Sequence, residues 1–183
     1  MTKTNLRLQL QVIDKDTNFD NVMIGNSHFN DDVWDLRPFI TVKTIKESQK
    51  YIRFEYIESH DMKQTAKQYA YYKLGKIKPI TVHGNINSGL PIFIEYCSIN
   101  GADVTKDDFL NFSLWMKDEK KVAVGTGFIS SHVVEEIIKT GQIKGWNVPQ
   151  TNIFKGITSN QLWNSKKAMQ ANKTKPIPED IFD

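Results

Sequence analysis

The pattern of apolar and polar positions changes near residue 60. Before it, three short stretches alternate apolar and polar side chains, the two-residue period of a half-buried strand. They are Leu6–Ile13, Phe39–Lys43 and Tyr51–Ile57. Thr44–Lys50 is predicted as a hairpin loop, and Asp14–Asp32, rich in Asp and Asn, as loops. The pattern predicts a small β-element of two or three strands.

From Asp61 onward, apolar residues recur at intervals of three and four, which is typical of helices that bury one face. Asp61 is the predicted N-cap of a first helix that ends at Gly75, and Thr81 opens a second helix. Pro91 inside the second helix lacks a backbone N–H, so we expect a kink near Asn87–Gly89.

Three further helices complete the predicted bundle. The first has a capping box at Thr105, the second spans Ser130–Thr140 after a glycine-containing turn, and the last runs from about Ser159 to Ala171. The fold class is therefore mainly α, with four to five helices. We expect a β-containing segment at 1–60, the helical domain at 61–172 and a polar linker at 173–183.

Composition narrows the class of protein. Hydrophobic residues make up 39% of the 183 residues and include ten Phe, which is enough for a sizeable core and excludes wholesale disorder. No apolar run approaches the roughly 18 residues of a membrane span, and the N-terminal stretch lacks the apolar core of a secretory signal. The one cysteine, Cys97, lies on an apolar stripe and is predicted to be buried and inert. We expect a cytoplasmic protein without membrane partners.

Charge is unevenly distributed although the net charge is only +3. Residues 61–90 carry +4, residues 91–119 carry −4 and residues 120–175 carry +7, and lysine supplies 21 of the 24 positive charges. Basic blocks of this kind suit an anionic partner such as a nucleic acid backbone. An ordinary lysine-rich surface is the alternative.

Motifs for catalysis or cofactor binding are absent from the sequence. There is no phosphate loop of the Walker type, and Gly125-Thr-Gly lacks the third glycine of a dinucleotide site. No two histidines have the i, i+4 spacing of a helical metal pair. Asp31, Asp32 and Asp35 cluster near Trp34, where a solvated loop is favoured over a metal site. No cofactor is expected.

The candidate binding residues form two groups of lysines, each near short polar side chains at a predicted helix start. Such positions suit phosphate oxygens, and Asn can also pair with adenine. The first group is Lys73, Lys76, Lys78, Thr81, His83 and Asn85. The second is Lys120, Lys121, Ser130 and His132, with Lys139, Lys166 and Lys167 farther along. Self-capping helix starts and solvated lysines are the alternative explanation.

The order of these features has a counterpart in a known family. The features are Pro79-Ile-Thr81-Val, Leu90-Pro-Ile-Phe93-Ile-Glu-Tyr96, Val104-Thr105-Lys-Asp-Asp-Phe109-Leu-Asn-Phe112, Thr126 to Ile138, and Gly141-Gln-Ile-Lys-Gly145-Trp146. Together the stretch from Tyr69 to Pro149 resembles the core-binding domain of tyrosine recombinases, the phage-integrase family. Tyr51–Ile57 resembles the upstream segment of some transposon-borne members, and the tail after Lys175 resembles the linker to their catalytic domain.

The resemblance implies a SAM-like helical bundle that clamps duplex DNA at a recombination site during DNA integration. Its partners would be double-stranded DNA and other recombinase protomers. The family cleaves DNA with an Arg, a Lys, an H-x-x-R motif and a nucleophilic Tyr in a separate catalytic domain. None of the four histidines begins an H-x-x-R here, and Arg7, Arg37 and Arg53 are the only arginines. We therefore expect a DNA-binding N-terminal fragment without strand-cleaving activity, with the catalytic domain absent.

Two rivals remain open. One is a helical protein–protein interaction module that binds no nucleic acid, since fold does not fix function. The other is an enzyme with a site at Asp31, Asp32, Asp35 and His28.

Overall fold

The computed structural model describes residues 18–100, 106–139 and 159–163. These residues are mainly helical and include two small antiparallel strand pairs, which confirms the mainly α prediction. None of the helices in these ranges is long and apolar enough to cross a membrane.

The first strand pair joins β1 (Met23–Ile24) to β2 (Ser27–His28). The turn between them requires Gly25, because its φ is +62° and a Cβ there would lie 2.1 Å from the Asp35 carbonyl oxygen. The prediction that Asp14–Asp32 forms only loops is therefore wrong for this part of the chain.

The second strand pair joins β3 (Val33–Asp35) to β4 (Tyr51–Arg53), with Trp34 opposite Ile52. A short 3₁₀-helix, Glu47–Lys50, lies just before β4 in place of the predicted hairpin loop. The predicted strand Phe39–Lys43 is wrong, because the N–H groups of residues 39 and 40 both bond to the Leu36 carbonyl in a turn. The predicted strand Leu6–Ile13 lies outside the described residues.

Helix α1 spans His60–Leu74 and ends before Gly75, close to the prediction. Its N-cap is Ser59 rather than Asp61, because the Ser59 hydroxyl accepts the Met62 N–H at 3.4 Å. Asp61 sits in the first turn, where a carboxylate favours the positive end of the helix dipole.

A single helical path runs from α2 (Pro79–Gly84) through a π-helical turn (Asn85–Gly89) into α3 (Leu90–Asn100). The path starts two residues before Thr81, with Pro79 in its first turn, where a missing N–H costs nothing. The π-helical turn lies where the kink was predicted. It ends two residues before Pro91, which has no backbone N–H to donate.

The remaining helices are α4 (Lys106–Asp118), α5 (Val124–Lys139) and α6 (Ser159–Trp163). Helix α5 starts six residues before the predicted Ser130, so the glycines expected in a turn lie in its first turns. The Thr105 cap, residues 164–171 of the predicted last helix and the linker 173–183 lie outside the described residues.

The strand pairs and the helices share one hydrophobic core, which includes Trp34, Phe54, Tyr69, Phe93 and Phe112. Hydrogen bonds from the π-helical turn reinforce this contact. The Asn87 side chain accepts the Arg53 N–H at 3.2 Å and donates to the Tyr51 carbonyl at 3.1 Å. The Tyr56 hydroxyl donates to the Ile86 carbonyl at 2.7 Å. The domain boundaries at 60 and 172 stay a prediction, but the core is continuous across residue 60.

Candidate nucleic-acid interface

The lysines of the first group have different environments in the structure. The Lys73 ammonium pairs with Glu136 of α5, and its side chain is only 13% exposed. Lys76 and Lys78 are exposed, and neither forms an ion pair with any described residue. Lys76 lies over the Tyr72 ring, 4.3 Å from its centroid, which holds the ammonium near the surface without neutralising it.

The start of α2 offers fewer free donors than the sequence suggested. Lys78 is the N-cap residue, and its carbonyl already accepts the N–H groups of Thr81 and Val82 at 2.9 and 3.2 Å. Thr81 is exposed, so its hydroxyl remains accessible. What this helix start offers a phosphate is therefore lysine charge, one hydroxyl and the helix dipole.

His83 is half-buried, and Asn85 is buried. Burial lowers the pKa of His83, and a hydrogen bond to the Ser48 backbone offsets only part of that shift. The neutral form of the ring is therefore favoured at pH 7. Asn85 is buried, and its amide donates to the Tyr69 hydroxyl at 3.1 Å. Neither side chain is placed to read a base edge in this conformation.

The second lysine group is also divided. Lys120 pairs with Glu95 and lies 5.3 Å from the Trp115 ring centroid. Ser130 is fully buried on α5, and its hydroxyl has no hydrogen-bond partner among the residues that the structure describes. Lys121 alone in this group is exposed and, within residues 18–100, 106–139 and 159–163, without an ion pair.

His132 is only partly accessible on this surface. It is half-buried, and its ring stacks on Phe128 with centroids 5.6 Å apart. Lys166 and Lys167 lie outside the described residues.

The two groups lie at opposite ends of the bundle. The Lys73–Glu136 pair places the start of α2 beside the last turns of α5, whereas the Lys120–Glu95 pair places the second group beside α3. Lys78 and Glu95 are separated along one helical path by about 25 Å, at about 1.5 Å per residue. The two groups therefore cannot contact the same phosphate.

Lys139 joins the first group. It is the last residue of α5, about one turn beyond Glu136, so it lies at the end where α1 stops and α2 begins. We call Lys76, Lys78 and Lys139 the lysine end.

Two lysines that the sequence analysis did not select extend this surface. Lys43 and Lys46 are exposed, form no ion pair with a described residue and lie in the segment that leads to the 3₁₀-helix. That helix packs against α2. Because these lysines lie 33 and 30 positions before Lys76, no local pattern could have linked them.

The acidic cluster does not form a metal site. Asp32 pairs with Lys63 at 2.7 Å and Lys67 at 3.1 Å, and Asp35 pairs with Arg37 at 2.6 Å. Asp31 accepts the backbone N–H of His28 at 2.8 Å. The part of the chain that the structure describes holds no group of three His, Cys, Asp or Glu that could bind a metal ion. This geometry gives the enzyme interpretation no site here.

A groove of about 320 Å³ opens between α3 and α4. Its lining residues are Tyr96, Asn100, Asn111, Leu114, Trp115, Asp118 and Glu119. Ile99 and Leu114 on these two helices are 64% and 45% exposed. Cys97 on α3, predicted to be buried, is only half-buried. The groove is the surface that the interaction-module interpretation would use.

Comparisons with protein-family models, curated proteins and solved structures found no match.

Proposed function

We propose that this chain binds duplex DNA through the lysine end, as the SAM-like core-binding part of a tyrosine recombinase. The observation that carries the DNA-binding proposal is the exposure of Lys76 and Lys78 without ion pairs, where α1 ends, α2 begins and α5 ends. The recombinase role rests on the sequence resemblance between Tyr69 and Pro149.

The chemistry of this surface supports backbone binding rather than base reading. Ammonium groups attract phosphates at any sequence, whereas Asn85, the side chain best suited to pair with a base, is buried and donates to the Tyr69 hydroxyl. The affinity should therefore be electrostatic and should fall with salt. Sequence selection would come from other parts of a recombinase or from the shape of the DNA.

The number of available charges limits the binding. Contacts through Lys43, Lys46, Lys76, Lys78 and Lys139 alone would neutralise about five phosphates and give a slope of log K against log salt of about −4.5. In this proposal the bundle forms one half of a clamp around DNA and does not cut it. Strand cleavage and most protomer contacts belong to a catalytic domain.

A salt titration of the chain against labelled duplex DNA tests the proposal, with single-stranded DNA and RNA as controls. The double variant Lys76→Gln/Lys78→Gln should make the slope shallower by about 2, because two phosphate contacts are lost. The matched variant Lys120→Gln/Lys121→Gln removes the same charge at the other end and should leave the slope within about 0.5 of the starting protein.

Two results would count against the proposal. If the folded protein does not bind duplex DNA at about 50 mM salt, where such contacts are strong, DNA binding is rejected and the interaction module becomes the better interpretation. If the two double variants weaken binding equally, DNA binding stands but the lysine end is not the interface.

A further inference from the structure

The groove between α3 and α4 combines aromatic rings with carboxylates. Tyr96, which is 4% exposed, and the half-buried Trp115 both line it, and their ring centroids lie 5.5 Å apart. Asp118 and Glu119 also line the groove, are exposed and form no ion pair with a described residue. Carboxylates beside an aromatic face are favourable surroundings for an ammonium group.

One lysine of the chain already lies on this aromatic surface. The Lys120 ammonium is 5.3 Å from the centroid of the Trp115 ring and pairs with Glu95 of α3. Leu114, which lines the groove as well, is 45% exposed. The groove therefore suits a further basic segment that also carries an apolar side chain.

The packing of α6 fixes where the chain leaves the described structure next to α4. The Trp163 indole N–H donates to the Ser131 hydroxyl at 2.7 Å, and Trp163 is 4% exposed. The Lys117 ammonium of α4 donates to the Leu162 carbonyl at 2.6 Å. Residue 164 therefore starts beside the face of α4 that carries Lys117.

The groove is within reach of the residues that follow. Asp118 comes directly after Lys117 in α4, so its side chain is rotated by about 100° around the helix axis. On a helix about 10–12 Å in diameter this rotation corresponds to about 10 Å of surface. Three extended residues span about 10 Å, so the third residue after Trp163, Lys166, can reach the carboxylates.

The sequence of this segment complements the groove. Residues 164–175 contain four lysines, at 166, 167, 173 and 175, and no Asp or Glu, whereas residues 91–119 carry −4. Lys166 and Lys167 are followed by Ala168 and Met169, which supply apolar side chains next to the two charges. Both properties of the groove, its charge and its exposed leucine, thus have a counterpart close to the point where the segment begins.

We propose that residues 164–175 dock in the α3/α4 groove of the same chain, with the ammonium groups of Lys166 and Lys167 on Asp118 and Glu119. The same chain is favoured over a second copy, because a segment attached at Trp163 acts at an effective concentration in the millimolar range. The inference does not depend on DNA binding. Docked in this way, the two lysines are withheld from an anionic partner until the groove releases them.

The first test cross-links the full chain with a water-soluble carbodiimide, which joins a carboxylate to an amine in direct contact. Mass spectrometry should find Asp118 or Glu119 joined to Lys166 or Lys167. The described Lys120–Glu95 pair is the internal positive control, since its groups are already in contact. An equal mixture of isotopically heavy and light chains shows whether each link lies within one chain or joins two.

The second test measures how fast trypsin cuts after Lys166 or Lys167. Asp118→Asn/Glu119→Gln should raise that rate at least about five-fold, because trypsin acts on the undocked fraction of the segment. The matched control is Asp20→Asn/Glu58→Gln, which neutralises one exposed Asp and one exposed Glu outside the groove and should leave the rate within about two-fold. Circular dichroism establishes that each variant is folded.

Four results would overturn the proposal. One is a Lys120–Glu95 cross-link that forms without any link from Asp118 or Glu119 to Lys166 or Lys167. Another is a link found only between heavy and light chains, because the occupant would then be a second copy. The others concern trypsin: an equal acceleration in both double variants, or no acceleration in either.

Discussion

Lys67 carries its charge in a site where its side chain is only 2% exposed. Burial lowers the pKa of Lys67, and the hydrogen bond to the Asp32 carboxylate opposes that shift. The ammonium also donates to the Asn30 carbonyl at 2.8 Å and lies 5.7 Å from the centroid of the Phe54 ring. The Lys67 side chain therefore links α1 to the segment that leads into β3. Burying its ammonium is tolerated only while the Asp32 carboxylate and the Asn30 carbonyl accept its hydrogen bonds.

Removing the Asp32 carboxylate should leave the buried Lys67 ammonium without a charged partner. We expect Asp32→Asn to lower the free energy of unfolding by about 2–3 kcal/mol, somewhat less than for a fully buried pair because Asp32 is 44% exposed. Asp31→Asn is the control, since that carboxylate accepts one backbone N–H, and it should cost no more than about 1 kcal/mol. Urea unfolding at pH 7 measures both, and an equal effect of the two variants would contradict this account.

At the scale of elements, each of the four strands has only two or three residues. Hydrogen bonds to carboxylates therefore contribute much of what stabilises the two strand pairs. Asp35 accepts hydrogen bonds from the Arg37 guanidinium, the Asn26 amide and the Arg37 N–H. The Arg37 guanidinium, above all, holds the pKa of Asp35 far below its usual range. The Lys63 ammonium likewise lowers the pKa of Asp32.

These shifts predict a loss of stability in acid. A carboxylate whose folded pKa lies below its unfolded pKa contributes its full stabilisation above the unfolded value, near pH 4, and loses it as the pH falls toward the folded value. We expect the urea concentration at the unfolding midpoint to decrease when the pH is lowered below about 4. Asp35→Asn should reduce that pH dependence and lower the free energy of unfolding at pH 7 by about 1–2 kcal/mol. Asp20→Asn, which also removes one exposed carboxylate, is the control for the change in net charge.

The π-helical turn connects the two kinds of element. The Asn87 amide forms hydrogen bonds with backbone groups of β4. Gly89, the last residue of the turn, has no side chain, so α5 can pack closely against it. A Cβ at Gly89 would lie 3.0 Å from methyl groups of Ile129 and Val133. The kink that Pro91 introduces is therefore also the place where the β-segment and the longest described helix meet.

At the scale of the whole molecule, the shared core predicts that the β-segment and the helices unfold as one cooperative unit. Trp34, Phe54 and Tyr69 belong to the same buried cluster as Phe112 and Val134. Unfolding followed by circular dichroism, which reports mainly the helices, and by hydrogen exchange of residues 18–58 should therefore give coincident transitions. Loss of the β-segment at lower denaturant than the helices would instead support an independent unit before residue 61.

The distribution of charge is also a property of the whole molecule. Ion pairs with Glu136 and Glu95 neutralise one lysine of each predicted group. Among the described residues, most of the exposed lysines without an ion pair lie toward one end, namely Lys43, Lys46, Lys76 and Lys78. The net charge of the chain says nothing about this arrangement. It is the reason the DNA-binding proposal concerns Lys76, Lys78 and Lys139 rather than all the lysines named from the sequence.

The sequence by itself determined the features that depend on neighbours along the chain. Helical periodicity located α1, α3 and α4 closely, Pro91 located the distorted turn, and β-branched and aromatic residues located β4. Local rules failed where a distant contact decided the outcome. Gly125 and Gly127 predicted a turn, yet both lie in α5, where Gly127 leaves the space that the Trp163 ring fills.

Only the tertiary structure decided which candidate residues remain available. Lys73 and Glu136 are 63 positions apart, Lys120 and Glu95 are 25 apart, and no spacing rule relates either pair. The hydrogen bond from the Trp163 indole to the Ser131 hydroxyl likewise joins residues 32 positions apart. Secondary structure follows from steric and hydrogen-bonding preferences within a few residues, whereas the accessibility of a charge depends on what packs against it after the chain has folded.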